Sequence, residues 1–180
     1  YETKEWTVLT QKNKAHDGII SSLCEINNKR MISSSYDKTI KVWDVSSNED
    51  IQLLKLLTQH KDKIWKVITL TCNRFASCSD DCTVKLWNSD TYELIPIPFE
   101  KQTYPCSLLQ LKRQREVLVV NCCSTKYQSL HFYQSCHPYE LLGKINNVCT
   151  TYNKGLIELP NGNVAGSHSN PKCIYIVDTH

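Results

Sequence analysis

The sequence predicts an all-β chain built as an array of four-stranded antiparallel units, and three observations predict it. Asp37-Lys38-Thr39-Ile40-Lys41-Val42-Trp43 reappears as Asp81-Cys82-Thr83-Val84-Lys85-Leu86-Trp87, an offset of 44 residues. Ser33-Ser34-Ser35 and His16 shift by the same 44 to Ser77-Cys78-Ser79 and His60, so separate features share one register. Between these landmarks lie short alternating or apolar runs divided by turn residues, with no helical periodicity. Self-similarity at this period marks a supersecondary unit that buries its faces only by stacking on its neighbours.

The first unit predicts strands over 19–26, 30–35, 39–44 and 51–57, and the second over 64–70, 74–79, 83–87 and 94–99. A third unit is fainter, with strands over 106–111, 117–122, 129–133 and 140–145; Phe132 stands 45 residues after Trp87. A fourth offers three strands, 155–159, 163–167 and 173–177, with Val177 another 45 residues on. Asn27-Asn28-Lys29 and Pro160-Asn161-Gly162 supply hairpin turns, since Asn and Gly enter the left-handed region at low cost.

Composition sets the class of protein. The 180 residues carry 21 Lys and Arg against 18 Asp and Glu, a net charge of +3 that demands neither nucleic acid nor a membrane surface. The longest apolar runs, such as Val117 to Val120, are too short to span a bilayer, and the first residues hold no apolar leader. Ten cysteines are scattered without a Cys-x-x-Cys pair; they read as small buried hydrophobes, with no metal or cofactor expected. No Asn-x-Ser/Thr sequon occurs, in keeping with an intracellular protein, cytoplasmic or nuclear.

A four-strand unit of this length, with His near its start and Trp-Asp near its third strand, resembles the WD40 repeat of β-propellers. The match is full over residues 16–57 and 60–99 and weaker from 104 to 178. The resemblance implies an incomplete propeller: blades at 13–57 and 58–101, a divergent blade at 102–146 and an incomplete one at 147–180. Residues 1–12, with Trp6 to Leu9, would form the outer strand of a preceding blade. Closed rings of this family usually need more blades, so the remaining ones are expected from the same longer chain, of which this is a fragment.

His16, Ser35 and Asp37, or His60, Ser79 and Asp81, could pass for hydrolase triads. They recur at a structural period and lack a Gly-x-Ser-x-Gly elbow, so no catalytic residue is assigned. The resemblance implies instead buried tetrads, drawn from His16, Ser33, Ser35, Asp37 and Trp43, and from His60, Ser77, Ser79, Asp81 and Trp87. Spacing alone leaves both serines of each blade open. Tyr104 and Phe132 occupy the His and Trp places of the third unit, to which no tetrad is carried.

A rigid propeller implies a non-catalytic protein–protein interaction scaffold, its partner bound on the narrow top face. The positions that commonly reach that face are Ser21, Tyr36, Trp65 and Asp80. Trp65 also reads as a core residue of its own strand, flanked by Ile64 and Val67. Alternatives are a ubiquitin-ligase substrate reader or an RNA- or chromatin-associated subunit. The first needs converging arginines, but Arg30, Arg74 and Arg113 fall by hairpins at the opposite face. The second rests on Lys112-Arg113-Gln114-Arg115, more simply a solvated hairpin tip. His131, His137, His168 and His180 follow no ligand spacing.

Overall fold

A computed structural model describes residues 7–27, 29–47, 50–97, 104–114, 116–123, 128–136, 139–146, 148, 155–169 and 172–179. Among them are fifteen strands and no helix. The first sheet comprises β1 (Ile20–Asn27), β2 (Arg30–Ser35), β3 (Ile40–Asp44) and β4 (Gln52–Leu57). The second comprises β5 (Ile64–Leu70), β6 (Arg74–Ser79), β7 (Val84–Asn88) and the short β8 (Leu94–Ile95). The third holds β9 (Pro105–Gln110), β10 (Val117–Cys123), β11 (Gln128–Gln134) and β12 (Leu141–Asn146). Three strands make the fourth: β13 (Leu156–Glu158), β14 (Val164–Ser169) and β15 (Lys172–Val177). Every pairing joins chain neighbours antiparallel, so each unit is a meander.

The sheets stack face to face as propeller blades. The first strand of each packs on the first strand of the next, β1 on β5, β5 on β9 and β9 on β13. Three apolar seams result. Ile32, Ile40, Val42 and Leu57 meet Ile64, Val67, Phe75 and Trp87 between the first and second blades. Ala76, Cys78, Val84 and Leu86 meet Leu108, Leu118, Val120 and Cys122 in the next seam. Leu111, Val119 and Leu130 meet Leu156, Val164 and Val177 in the last. A middle blade is buried on both faces, so all six residues of β6 are buried. Small side chains such as Cys78 fit there, where two neighbouring sheets compete for space.

The far face of the fourth sheet carries Ile157, Ile174 and Ile176, all exposed, so the array is an open propeller. Of the outer strand expected over residues 1–12, the described part, with Thr7, Val8 and Leu9 exposed, lies outside any strand, and among the described residues no strand pairs with it. Trp6 lies outside the described residues.

Register corrects one assignment. Leu109 pairs with Val119 as Thr69 pairs with Phe75, and Val119 follows Phe75 by 44. Leu109 follows Thr69 by only 40, so β9 arrives four residues early and Tyr104 does not stand at the His position. That position, residue 100, lies outside the described residues.

At the end of the blades opposite the β2–β3 and β6–β7 turns, each seam is latched by an arginine. Arg30 Nη1 donates to the Tyr92 hydroxyl at 2.8 Å and Arg74 Nη1 to the Tyr139 hydroxyl at 3.2 Å, each guanidinium also lying over the ring it bonds. Arg113 Nη1 reaches the Asn161 carbonyl at 3.1 Å.

Candidate functional site

Two polar chains thread the first two blades. In the first, the Trp43 indole N–H donates to Ser33 Oγ at 2.7 Å, and Ser33 Oγ lies 2.6 Å from His16 Nε2. His16 Nδ1 meets Asp37 Oδ2 at 2.8 Å. The second repeats the order: Trp87 to Ser77 at 2.9 Å, Ser77 to His60 at 2.8 Å and His60 to Asp81 at 2.7 Å. An indole can only donate, so the serine oxygen accepts from it and its hydroxyl donates a hydrogen bond to His Nε2. The imidazole is then neutral, with its hydrogen on Nδ1 and directed at the carboxylate.

The electrostatics agree with that tautomer. Burial lowers the pKa of both His16 and His60, outweighing the upward pull of Asp37 and Asp81. Burial alone would raise the Asp37 carboxyl, but hydrogen bonds from the Thr39 hydroxyl and amide, and from His16, hold it at about 2. Asp81 is likewise held well below the usual carboxylate range, against its burial, chiefly by His60 and Thr83.

Ser35 and Ser79 stand outside these chains and hold the turns. Ser35 Oγ accepts the Asp37 amide at 3.1 Å; Ser79 Oγ accepts the Asp81 amide at 3.1 Å and donates to the Asp62 carbonyl at 2.9 Å. Each turn also carries a threonine that the triad-like spacing passed over. Thr39 Oγ1 donates to Asp37 Oδ1 at 2.6 Å and Thr83 Oγ1 to Asp81 Oδ1 at 2.5 Å. The signal was present, since Thr recurs two residues after Asp in both copies of the repeated heptamer. Between Asp and Thr, Lys38 and Cys82 adopt φ of 72° and 65°, the left-handed residue that closes the turn.

Both chains are closed off from solvent at their serines. Ser33 and Ser77 are 2% and 0% exposed, and each oxygen is already engaged by an indole and an imidazole. Among the described residues no cluster of His, Cys, Asp or Glu is arranged to hold a metal.

At the turn end of the first seam the candidate face is assembled. Tyr36, just after β2, and Trp65, at the start of β5, meet edge to face with ring centroids 5.0 Å apart and planes at 76°. The Trp65 indole donates to Asp80 Oδ1 at 2.5 Å, and Lys63 Nζ lies 5.8 Å from the Tyr36 ring centre. All but Lys63, which is exposed, are half-buried. Trp65 also packs on the second seam, so the residue bridges the core and the face. Ser21 is set apart: its hydroxyl turns inward to the Ser34 carbonyl at 3.1 Å. Lys63 was absent from the sequence-derived set, because a cation over a ring across a blade boundary leaves no mark in spacing.

The third blade holds a different polar set. Ser129 Oγ lies 2.9 Å from His131 Nε2, and His131 Nδ1 lies 3.4 Å from the Tyr133 hydroxyl, all on one face of β11. His137 and His180 lie outside the described residues, as does the side chain of His168.

Comparison with known proteins agrees with the repeats and the fold. The family model described as "WD domain, G-beta repeat" matches residues 7–44 and 51–88. A protein transport protein SEC13 of Lodderomyces elongisporus is 34% identical over 83 residues, 44% of this chain and 27% of that protein. A ribosome biogenesis protein WDR12 homolog of Trichoplax adhaerens is 36% identical over 63 residues, 34% of this chain and 14% of that protein. The matched stretch thus spans about a quarter or less of these relatives. Among solved structures, the WD40 β-propeller domain of Doa1 superposes with a TM-score of 0.72 at 17% identity, covering 92% of this chain and 53% of that one. The computationally designed Ika4 protein gives 0.71 at 18% identity, covering 96% and 98%.

Proposed function

We propose, for a chain that carries WD40 repeats on an open β-propeller fold, that it is a non-catalytic protein–protein interaction scaffold whose partner docks on the turn end of the first two blades. The observation that carries this reading is the Tyr36–Trp65 pair bridging that seam, with Lys63 and Asp80 beside it. Half-buried aromatics held by neighbours offer large contact area at small entropic cost, which is how interface anchors work. Ser21, turned inward, is at most a support to the strand beneath.

The arginines weigh against a phosphate reader. Arg30, Arg74 and Arg113 are engaged at seams on the opposite end, and a phosphopeptide site needs several converging free guanidinium forks. The same engagement of Arg113 weighs against nucleic acid at the 112–115 hairpin. Relatives named for protein transport and ribosome biogenesis support an intracellular setting. Their greater length supports a longer polypeptide that supplies the remaining blades.

The test is capture of partners from cell extract on the immobilised native chain, read by mass spectrometry, with Tyr36→Ala, Lys63→Ala and the control Lys55→Ala, exposed mid-strand on the outer strand β4. Proteins retained by wild type and by Lys55→Ala but lost with the other two, at unchanged circular dichroism, support the reading. Equal capture by all four refutes it.

A further inference from the structure

The third blade holds a feature with no counterpart in the first two. Cys106, near the start of β9, and Cys123, at the end of β10, bring their sulfur atoms to 2.7 Å, with Cys106 Sγ also 3.5 Å from the Asn121 carbonyl. Both side chains are buried, and among the described residues no disulfide is formed. A disulfide has its sulfurs about 2.05 Å apart, so closure needs a shift of well under 1 Å between strands already paired.

The position is telling. In the repeat register, the offset of 44 that carries Phe75 to Val119 carries Ser79 to Cys123, and 88 separates Cys123 from Ser35. Ser35 and Ser79 hold their turns through the Asp37 and Asp81 amides. A thiol accepts a hydrogen bond poorly, and in the third blade the sulfur at that place meets a second sulfur instead. The Cys123 amide donates to the Tyr104 carbonyl at 3.0 Å, so the pair sits at the same end of its blade as Tyr36 and Trp65 do of theirs.

We propose that Cys106 and Cys123 are an oxidisable pair, a modification site at which a hydroperoxide converts two buried thiols into a disulfide that fixes β9 to β10. The chemistry balances in two steps. One thiol and hydrogen peroxide give a sulfenic acid and water, breaking the O–O bond. The second sulfur then attacks the sulfenic sulfur; the S–S bond forms, the S–O bond breaks and a second water leaves. Two electrons and two protons pass from the thiols to the peroxide. The contact with Cys123, together with burial, pushes the Cys106 thiol up, so that sulfur stays protonated until it is oxidised.

The test exposes the native chain to hydrogen peroxide and maps its tryptic peptides with and without reductant. Expected is a species joining peptides 102–112 and 116–126, two hydrogens lighter than their sum, and abolished by reduction. Cys122 shares the second peptide, so the map is repeated on Cys122→Ala, which should retain the link. Cys106→Ser and Cys123→Ser should each lose it; the Cys122→Ala map decides even if either fails to fold. Oxidation of Cys72 without this link, or a link surviving in Cys123→Ser, overturns the proposal.

Discussion

Ser77→Ala tests the polar chain where it is most enclosed. Ser77 is 0% exposed, between Trp87 at 0% and His60 at 5%. Removing its hydroxyl strands two groups at once, the Trp87 N–H that donated to it at 2.9 Å and the His60 Nε2 that stood 2.8 Å away. Both groups are shut away from bulk solvent. A buried polar group without a partner costs about 1–3 kcal/mol, so the variant should lose about 2–4 kcal/mol. Ser79→Ala, two residues on in the same strand, removes one turn contact and one bond to a carbonyl and should lose only about 0.5–1.5 kcal/mol. Urea denaturation followed by tryptophan fluorescence measures both. A double-mutant cycle with Trp87→Phe isolates the link, because Phe has no donor to strand, and the coupling should be about 1–2 kcal/mol. Phe132 already occupies the equivalent place in the third blade, so the ring itself is tolerated. A loss no larger than that of Ser79→Ala, or a coupling near zero, would refute the view that the chain acts as one unit.

Acid should destabilise the fold earlier than ordinary carboxylates would. The folded His16 and His60 sit below their usual 6.5, so the unfolded chain takes up protons first as pH falls. Their stabilisation is full above pH 6.5 and is lost as pH drops through the folded values; Asp37 extends the loss between 3.8 and about 2. The urea midpoint should fall between about pH 7 and pH 5, and a flat or rising midpoint would contradict this. Arg74→Lys should weaken the second seam by about 0.5–2 kcal/mol, since lysine cannot both bond the Tyr139 hydroxyl and lie flat over its ring; thermal melts read this. Cys72→Asn should stabilise by about 0.5–1 kcal/mol in the same melts, because Cys72 and Asn73 both hold positive φ, 59° and 53°, in the connection of residues 71–73 between β5 and β6.

What the sequence revealed of this molecule divides by the range of the interaction. The first two blades were legible because one network imposes the same residues at the same spacing twice: an indole needs an acceptor, and the acceptor needs the imidazole. The strands over 30–35 and 74–79 were read at their observed bounds for that reason. The choice of Ser33 over Ser35 was closed to pattern reading, since both lie on one face of β2 and only the height of the indole decides between them. The third blade misled at Tyr104 because its inter-blade connection is four residues shorter, and a fixed period cannot register a shortened loop.

The face and the seams belong to a different class of information. Tyr36, Lys63 and Trp65 meet only because two blades are stacked, and Arg30 finds Tyr92 across 62 residues of chain. Such contacts join units rather than define them, so each blade can vary its half without disturbing the repeat. Cys123 shows the consequence. In the third blade, where the repeat signature fades, Cys123 stands where Ser35 and Ser79 hold their turns, and its sulfur meets Cys106 instead. The cysteine pair stands where the repeat signature fades, so chemistry peculiar to this chain should be sought where its period weakens.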